Sequence, residues 1–366
     1  MLKGVNEDLA LPLLANRPII KPNSENAAHL NGKVVLVTGA GGSIGSELVL
    51  QIAAASPRKL VLVENSELAL YEISLTLENS NLPFEIVSLL CDIRHTASLR
   101  SVFTTHPPDI VFHAAALKHV PLLESDHNLI EAVRTNVLGT KRVVDEAFDC
   151  GADVVMISTD KAVNPTSGMG LTKRCAEIYL QSLPPRVAGS RVAQVRFGNV
   201  LGSSGSVVPL FRRQIAQGGP VTITHPDMTR YLMTIKEAVQ LTLAASQLMG
   251  GLEFYSSFVL DMGKPVRIMD LAYRLIEQTG LRPEIDIPVE VIGIRPGEKL
   301  FEELHYASEE LVPSGLERIH RIVQHKHVHV ADTMAGLFEA AEHRNAGALK
   351  MFLKKLVPEY SGEPVF

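Results

Sequence analysis

The sequence predicts an α/β protein with a doubly wound parallel sheet and a smaller C-terminal substrate-binding region. Apolar, β-branched runs alternate with stretches of helical periodicity from residue 33 to about residue 200, which is typical of a parallel sheet covered by helices on both faces. A glycine-rich turn, TGAGGSIG, joins the first run to the first helical stretch. Beyond residue 200 the alternation gives way to shorter elements. The turn makes this a Rossmann-type sheet.

Each element follows from a local pattern. Continuous apolar runs predict strands buried on both faces, at residues 33–38, 59–64, 84–90, 109–115, 153–158, 191–197 and 258–263. Helical spacing between these runs predicts helices, at residues 43–55, 66–78, 96–105, 126–149, 168–183, 207–217 and 268–280.

The change from regular strand–helix alternation to shorter elements near residue 200 sets the predicted domain boundaries. Residues 1–30, which contain three prolines, form an N-terminal arm, and residues 31–199 form the dinucleotide-binding domain. We expect residues 231–262 to rejoin that domain. Residues 200–230 and 263–366 form the substrate-binding region.

Composition excludes several classes of function. The chain of 366 residues is 46% hydrophobic and 20% charged, as in globular proteins, and its net charge of −5 argues against a nucleic-acid or anionic-membrane binder. Three cysteines and scattered histidines form no disulfide or metal pattern, so we predict no metal site. The N-terminal stretch has no signal-peptide core and no apolar run spans a bilayer. We expect a cytoplasmic protein.

The glycine-rich turn predicts a dinucleotide site. Gly39, Gly42 and Gly45 allow a tight turn, close approach of a pyrophosphate and packing of the helix on the strand. The helix N-terminus then offers amide donors to phosphate. Glu64 ends the second strand, where an acidic residue binds the adenosine ribose. Its charge would repel a 2′-phosphate, so NAD is favoured over NADP.

Longer motifs point to a family. TGAGGSIG, HAAALKHVP, TNVLGT and Lys173 resemble the extended short-chain dehydrogenase/reductase superfamily. STDKAVNPT, VRFGNVLGSSGSVVPLF, HPDMTRYLMTI and GIRPGEKLFEEL resemble the bacterial polysaccharide-biosynthesis dehydratases that act on UDP-N-acetylglucosamine. The likeness covers about residues 31–305.

The resemblance implies a 4,6-dehydration through bound NAD. Hydride leaves carbon 4, water is lost across carbons 5 and 6, and hydride returns to carbon 6, which gives a UDP-2-acetamido-2,6-dideoxy-4-keto-hexose. It also implies cofactor contacts from Ser43, Ile44, Asp92, Ile93, Ala114, Ala115, Lys118, Asn136 and Lys173. Asp92 could equally be a turn residue, and we interpret His113 as a packing residue at a strand end.

The motif STDK supplies the implied catalytic groups. By resemblance Thr159 hydrogen-bonds the carbon-4 oxygen, Asp160 protonates the leaving hydroxyl, and Lys161 is the base for carbon 5. We expect burial to raise the pKa of Asp160 and, with Lys173 nearby, to lower the pKa of Lys161, although an ionised Asp160 opposes the second shift.

Met169 stands where the superfamily has a tyrosine, four residues before Lys173. A thioether cannot exchange a proton. The resemblance implies that methionine marks a subtype that retains configuration at carbon 5. Our hypothesis is that Asp160, or a water, relays the proton of the carbon-4 hydroxyl.

The substrate end needs cations and hydrogen-bond donors. The resemblance implies that Asn199, Arg230 and Arg295 bind the diphosphate and that Glu298 binds the uridine ribose; an arginine fork suits phosphate oxygens. Lys118 is expected at the mouth of the site.

Two other functions compete with the dehydratase. A nucleotide-sugar 4-epimerase would need a tyrosine base and no Asp-Lys pair, and a non-catalytic NAD-binding sensor would fit the missing tyrosine. The resemblance also implies a homo-oligomer, in which helices 126–149 and 169–183 meet a second copy. Larger members carry a membrane region, and residues 13–20 resemble their juxtamembrane arm, so a membrane-anchored longer protein stays open.

Overall fold

The computed structural model describes residues 24–185, 189–251, 253–323 and 330–362. Most of the predicted N-terminal arm therefore lies outside the described residues. The strands in chain order are Val34–Thr38 (β1), Lys59–Glu64 (β2), Glu85–Leu90 (β3), Ile110–His113 (β4), Asp153–Thr159 (β5), Val192–Phe197 (β6), Asn199–Val200 (β7), Val221–Ile223 (β8), Thr229–Arg230 (β9), Leu232–Met233 (β10), Tyr255–Leu260 (β11), Val266–Arg267 (β12), Val289–Val291 (β13), Glu310–Pro313 (β14) and Ile319–Val323 (β15).

The predicted helices are present with bounds that shift by only a few residues, except that the one over 126–149 is divided. The helices are Ser43–Ala54 (α1), Glu67–Glu78 (α2), Thr96–Thr105 (α3), Asp126–Val133 (α4), Thr140–Asp149 (α5), Gly168–Ser182 (α6), Val207–Ala216 (α7), Ile235–Leu248 (α8), Ile268–Glu277 (α9), Ala331–Glu342 (α10) and Ala346–Leu356 (α11). Three of them, α8, α10 and α11, were not predicted.

The main sheet of the described residues has nine strands, in the order β14-β15-β11-β6-β5-β4-β1-β2-β3. The seven strands from β11 to β3 are parallel, and β15 and β14 are antiparallel at one edge. The chain adds strands on one side of β1 and then crosses to the other side at β4. A crevice at such a switch point is where ligands bind in this kind of sheet. The predicted Rossmann-type sheet is confirmed.

A separate apolar core underlies the smaller region. It is built from α7, α9 and the short parallel pair β8 and β13, with Phe211, Leu271 and Ile276 fully or almost fully buried. Strand β11 pairs with β6, so the chain returns to the main sheet after residue 231, as the sequence predicts.

The C-terminal part differs from the predicted boundary. Residues 263–366 were expected to belong to the substrate-binding region, but β14 and β15 extend the main sheet, and α10 and α11 pack into one of its cores. The reason is long-range pairing: β15 aligns antiparallel with β11. Their sequences carry no signal for that partner.

Helices α10 and α11 also cover the face expected to meet a second copy. Leu337 and Leu353 share a core with Val143 and Ile178, which lie on α5 and α6. That apolar face is therefore buried within the chain.

The long helix predicted over 126–149 contains a π-helical segment, Arg134–Gly139, between α4 and α5. A π-helical turn inside an α-helix frequently marks a functional position, and Asn136 lies in this one. None of the helices in the described part of the chain has the length and apolar character needed to cross a bilayer.

Candidate active site

The glycine-rich turn is packed too tightly for any side chain at three of its positions, Gly39, Gly41 and Gly45; a Cβ on Gly41 would lie 2.5 Å from the Cβ of Ala69. A Cβ on Gly45 would lie 1.9 Å from the carbonyl oxygen of Gly39, and a Cβ on Gly39 would lie 2.7 Å from the amide nitrogen of Ala115. Gly39 also has a φ of +67°, a conformation that glycine adopts without strain. The turn thus brings bare backbone to the crevice between β1 and β4.

The first turn of α1 faces the same crevice. Gly42 is its N-cap and provides no side-chain cap within the described structure. The amides of the first turn have no intrahelical acceptor, and Ser43, Ile44 and Gly45 line the cleft. Free amides at a helix N-terminus bind phosphate. The arrangement therefore fits the pyrophosphate of a dinucleotide.

Glu64 is held by backbone donors at the end of β2. Its Oε2 accepts a hydrogen bond from the amide of Gly41 at 3.0 Å, and its Oε1 accepts from the amides of Asn65 and Ser66 at 2.9 and 3.0 Å. These bonds fix the carboxylate beside the glycine turn. Its predicted contact with the adenosine ribose stays a prediction.

Asp92 has a partner that the sequence interpretation missed. Arg94 donates hydrogen bonds to both carboxylate oxygens at 2.6–3.0 Å. Burial by itself would raise the pKa of Asp92, but the hydrogen bonds and charge of Arg94 lower it. The neighbouring Ile93 is buried and lies against Gly139 of the π-helical segment. Asp92 is thus a turn residue that carries a charge, and its contact with the adenine side of the cofactor stays a prediction.

Asn136 shapes the loop after β4. Its side chain exchanges two hydrogen bonds with the backbone of Leu117, at 2.8 and 2.9 Å, and donates a third to Thr172. Ala114 lines the cleft within the same loop. Asn136 is fully buried, so its amide sets the path of residues 114–118 along the cleft.

His113 is the packing residue that the sequence predicts. Its ring is buried between the hydroxyls of Thr38 and Thr140, at 2.7 and 2.9 Å. Burial, with some help from the charge of Lys173, lowers the pKa of His113 to about 3. The ring is neutral at physiological pH.

Strand β5 delivers the STDK motif to the cleft. Asp160 is completely buried, and its Oδ1 accepts hydrogen bonds from Thr159 Oγ1 and Lys161 Nζ, both at 2.9 Å. Lys161 also donates to Oδ1 of Asn199 at 2.7 Å. Thr159, Lys161 and Asn199 line the cleft. The predicted catalytic pair, Asp160 and Lys161, therefore forms one hydrogen-bonded unit with Thr159 and Asn199.

One expectation about this unit is wrong. We expected burial to lower the pKa of Lys161. Burial does act in that direction, but the carboxylates of Asp160 and Glu302 outweigh it and raise the pKa. The ammonium form of Lys161 is therefore the resting form, because opposite charges nearby stabilise the charged state.

The pKa of Lys173 shifts in the opposite direction to that of Lys161. It is buried and donates to the carbonyl oxygen of Ile157 at 2.7 Å. Burial lowers its pKa to about 8, although the charge of Glu177 opposes the shift. Met169 lies one helical turn before Lys173, is 4% exposed, and packs against Leu123 and Ala132. Met169 and Lys173 both line the cleft.

The predicted substrate residues line the same cleft, which has a volume of about 710 Å³. Arg230 is buried and donates to the carbonyl oxygens of Thr229 and Leu300. Arg295 is exposed, and its amide donates to Glu298. The remaining residue, Lys118, donates to the carbonyl oxygen of Ser204 at 3.0 Å. These four residues line the cleft; their roles toward a substrate stay predictions.

The sequence interpretation missed Glu302. Its carboxylate lies 3.6 Å from Lys161 Nζ and 3.8 Å from Arg230 Nε. The available signal was the motif GIRPGEKLFEEL, which contains three acidic residues. Nothing in that run distinguishes the buried one from its exposed neighbour Glu303.

Comparisons with known proteins agree with this fold. The family model described as polysaccharide biosynthesis protein matches residues 35–324. The capsular polysaccharide biosynthesis protein CapD of Staphylococcus aureus is 48% identical over 314 residues, which are 84% of this chain and 51% of CapD. This chain thus spans about half the length of CapD, and it spans the same share of a Bacillus subtilis relative.

Two further relatives have named reactions. A UDP-N-acetylglucosamine 4,6-dehydratase (inverting) of Campylobacter jejuni is 34% identical over 278 residues, 74% of this chain and 77% of the relative. A UDP-glucose 4-epimerase of Rickettsia prowazekii is 35% identical over 287 residues, 76% of this chain and 79% of the relative.

Solved structures share the fold. The structure of Pen from Bacillus thuringiensis has a TM-score of 0.72 at 31% identity, covering 80% of this chain and 90% of Pen. A UDP-glucose 4-epimerase from Stenotrophomonas maltophila, solved with bound NAD, has a TM-score of 0.61 at 19% identity, covering 73% of this chain and 88% of the epimerase. The second likeness concerns the fold alone.

Proposed function

This chain belongs to the polysaccharide biosynthesis protein family, and from that premise we propose that it is a UDP-N-acetylglucosamine 4,6-dehydratase, a hydro-lyase. NAD is the cofactor, held by the glycine turn and the N-terminus of α1, and when bound it accepts hydride from carbon 4 and returns it to carbon 6. The observation that carries the proposal is the unit of Thr159, Asp160 and Lys161 on the cleft wall.

Elimination of water needs two proton-handling groups, whereas epimerisation at carbon 4 needs one. Thr159 donates to the same oxygen of Asp160 that accepts from Lys161. The unit can therefore hold and release protons at two atoms, Asp160 Oδ1 and Lys161 Nζ. The buried carboxylate also has an Oδ2 with no hydrogen-bond partner in the described structure.

The contacts support a proton path that does not use Met169. The carbon-4 hydroxyl gives its proton to Thr159 Oγ1, which passes its own to Asp160. Asp160 then returns a proton through Thr159 Oγ1 to the leaving hydroxyl on carbon 6, so that proton departs with the water. Thr159 is the relay because it lines the cleft, whereas Asp160 has no exposed surface.

Neutral Lys161 takes the proton from carbon 5 and returns it after the hydride reaches carbon 6. Since the ammonium form is the resting form, Lys161 acts as a base only in the fraction of molecules that have lost a proton. Return of the proton from the same amine retains the configuration at carbon 5. The thioether of Met169 has no exchangeable proton, so Met169 cannot protonate carbon 5 in place of Lys161.

Turnover in deuterium oxide tests the proposal. NAD-loaded protein is incubated with UDP-N-acetylglucosamine, and the products are followed by mass spectrometry and NMR. We expect loss of water, deuterium at carbon 5 and the retained configuration there. Formation of UDP-N-acetylgalactosamine would replace this proposal with the epimerase, and absence of any turnover would favour the NAD-binding sensor.

The 4-epimerase is the second candidate because a Rickettsia relative has that name. An epimerase would have no use for the pairing of Lys161 with Asp160. The dehydratase uses both groups, so it accounts for more of the site.

A further inference from the structure

Glu302 is a buried carboxylate between two cations of the active-site cleft. Its side chain is 3% exposed, and its Oε1 lies within 4 Å of both Lys161 and Arg230. The three residues come from distant parts of the chain and meet only in the fold. A buried carboxylate is costly unless it is paired, so its placement between two cations needs an explanation.

The pairing of Glu302 is incomplete. Its contacts with the two cations, at 3.6 and 3.8 Å, are longer than direct hydrogen bonds. Its Oε2 has no hydrogen-bond partner among the described residues. A carboxylate whose role was structural would be expected to accept close hydrogen bonds, as the buried Glu177 does from Ser158 and Arg196 at 2.6–3.1 Å. Glu302 instead acts on Lys161 mainly through its charge.

The segment that carries Glu302 is attached to the catalytic loop. Four residue pairs join residues 297–306 to residues 162–166 by hydrogen bonds at 2.8–3.1 Å: Thr166 donates to the carbonyl oxygen of Gly297, Lys299 to that of Val163, Tyr306 to that of Ala162, and Asn164 to the carboxylate of Glu303. These bonds lie on both sides of Glu302 in sequence. They fix the distance between its carboxylate and Lys161.

We propose that Glu302 is a positioning residue for Lys161: its charge keeps the ammonium group beside Asp160 and sets the pH at which Lys161 becomes a base. This inference rests on the proposed function for its kinetic consequence only. The charged groups that face Lys161 are Asp160 and Glu302, which favour the ammonium form, and Arg230, which opposes them. Asn199 contributes a neutral oxygen.

The effect on the pH profile has a definite sign. The rate of elimination rises with pH as Lys161 loses its proton. Removal of the charge of Glu302 lowers the pKa of Lys161, so the rising limb moves to lower pH. A single neighbouring charge shifts a pKa by about one to three units. Glu302→Gln should therefore move the limb of kcat/KM by about one unit or more toward acid.

The matched control is Glu303→Gln. Glu303 is adjacent in sequence and exposed, and it pairs with Lys299 and Asn164 rather than with Lys161. We expect its pH profile to match that of the wild type. Glu302→Asp keeps the charge on a shorter side chain. The rising limb of its pH profile should therefore lie between those of the wild type and Glu302→Gln.

A second measurement separates this inference from the proposed function. Lysines are labelled with 13C at Cε, the signal of Lys161 is assigned from a Lys161→Arg sample, and the NAD-loaded protein is titrated by NMR. The titration of Lys161 should move toward acid in Glu302→Gln whether or not the protein turns over the sugar. If Glu302→Gln gives no folded protein, Glu302→Asp is titrated against the wild type, with a smaller shift expected in the same direction.

The outcomes are distinct. An unchanged Lys161 titration in folded Glu302→Gln overturns the inference and leaves the dehydratase standing. A shifted titration without dehydration of UDP-N-acetylglucosamine supports the inference and overturns the proposed function. A loss of activity with the same pH limb assigns Glu302 a structural role and rejects the inference.

Discussion

The cofactor half and the proton-handling half of the cleft are built differently. The cofactor half comprises the glycine turn at residues 39–45 and Glu64, all within one strand–helix–strand unit. Its contacts are made by backbone, and both oxygens of Glu64 accept hydrogen bonds from amides. The half is complete before any ligand binds.

The proton-handling half comprises Asp160, Lys161 and Glu302, which come from β5 and from a segment far along the chain. Two of its buried oxygens, Asp160 Oδ2 and Glu302 Oε2, have no hydrogen-bond partner in the described residues. Unsatisfied buried oxygens cost stability. Under the proposed function, this difference suits the first half to tight binding of the cofactor and the second to the exchange of protons.

Lys161→Met should have the largest effect and should affect only the proton-handling half. Without the amine, the carbon-5 proton has no acceptor, and we expect kcat to fall by about 10²–10⁴-fold. NAD affinity, measured by calorimetry, should stay unchanged. The control is Lys264→Met, at an exposed position. If Lys161→Met lost NAD affinity as strongly as it lost kcat, the two halves of the cleft would not be functionally separate.

Gly45→Ala should affect the cofactor half first. The new Cβ would lie 1.9 Å from the carbonyl oxygen of Gly39, so the turn must move. Overpacking of this kind costs about 1–3 kcal/mol of stability, and we expect NAD affinity to fall by about tenfold or more, at roughly 1.4 kcal/mol per factor of ten. Gly347→Ala, in the open first turn of α11, is the control. Unchanged NAD binding in Gly45→Ala would contradict the tight fit.

Met169→Leu should have the smallest effect. Methionine and leucine have similar volumes, so the exchange costs less than about 1.5 kcal/mol of stability. If the proton path runs through Thr159 and Asp160, kcat should change by less than about threefold, the scatter of an ordinary packing change. Steady-state kinetics and thermal unfolding measure the two effects. A large fall in kcat without loss of stability would place the thioether in the chemistry.

Much of the architecture was predictable because its signals are local. Buried strands have continuous apolar runs, and the glycine turn owes its shape to the absence of side chains. Motif order then identified Asp160, Lys161 and Asn199, which the structure brings into one hydrogen-bonded group. The apolar period over residues 126–149 is that of a helix throughout, so it did not predict the π-helical segment that contains Asn136.

The sequence by itself therefore determined the sheet and the glycine turn, and it predicted that Asp160 and Lys161 are the catalytic pair. Only the tertiary structure decided which partners surround them. The pKa of Lys161 rises because its neighbour Asp160 and the distant Glu302 both bring a carboxylate close to it. Strand β15 pairs with β11, and α10 and α11 share a core with the helices that were expected to meet a second copy. Charge effects and strand pairing depend on distances in space, and no periodicity along a chain records those distances.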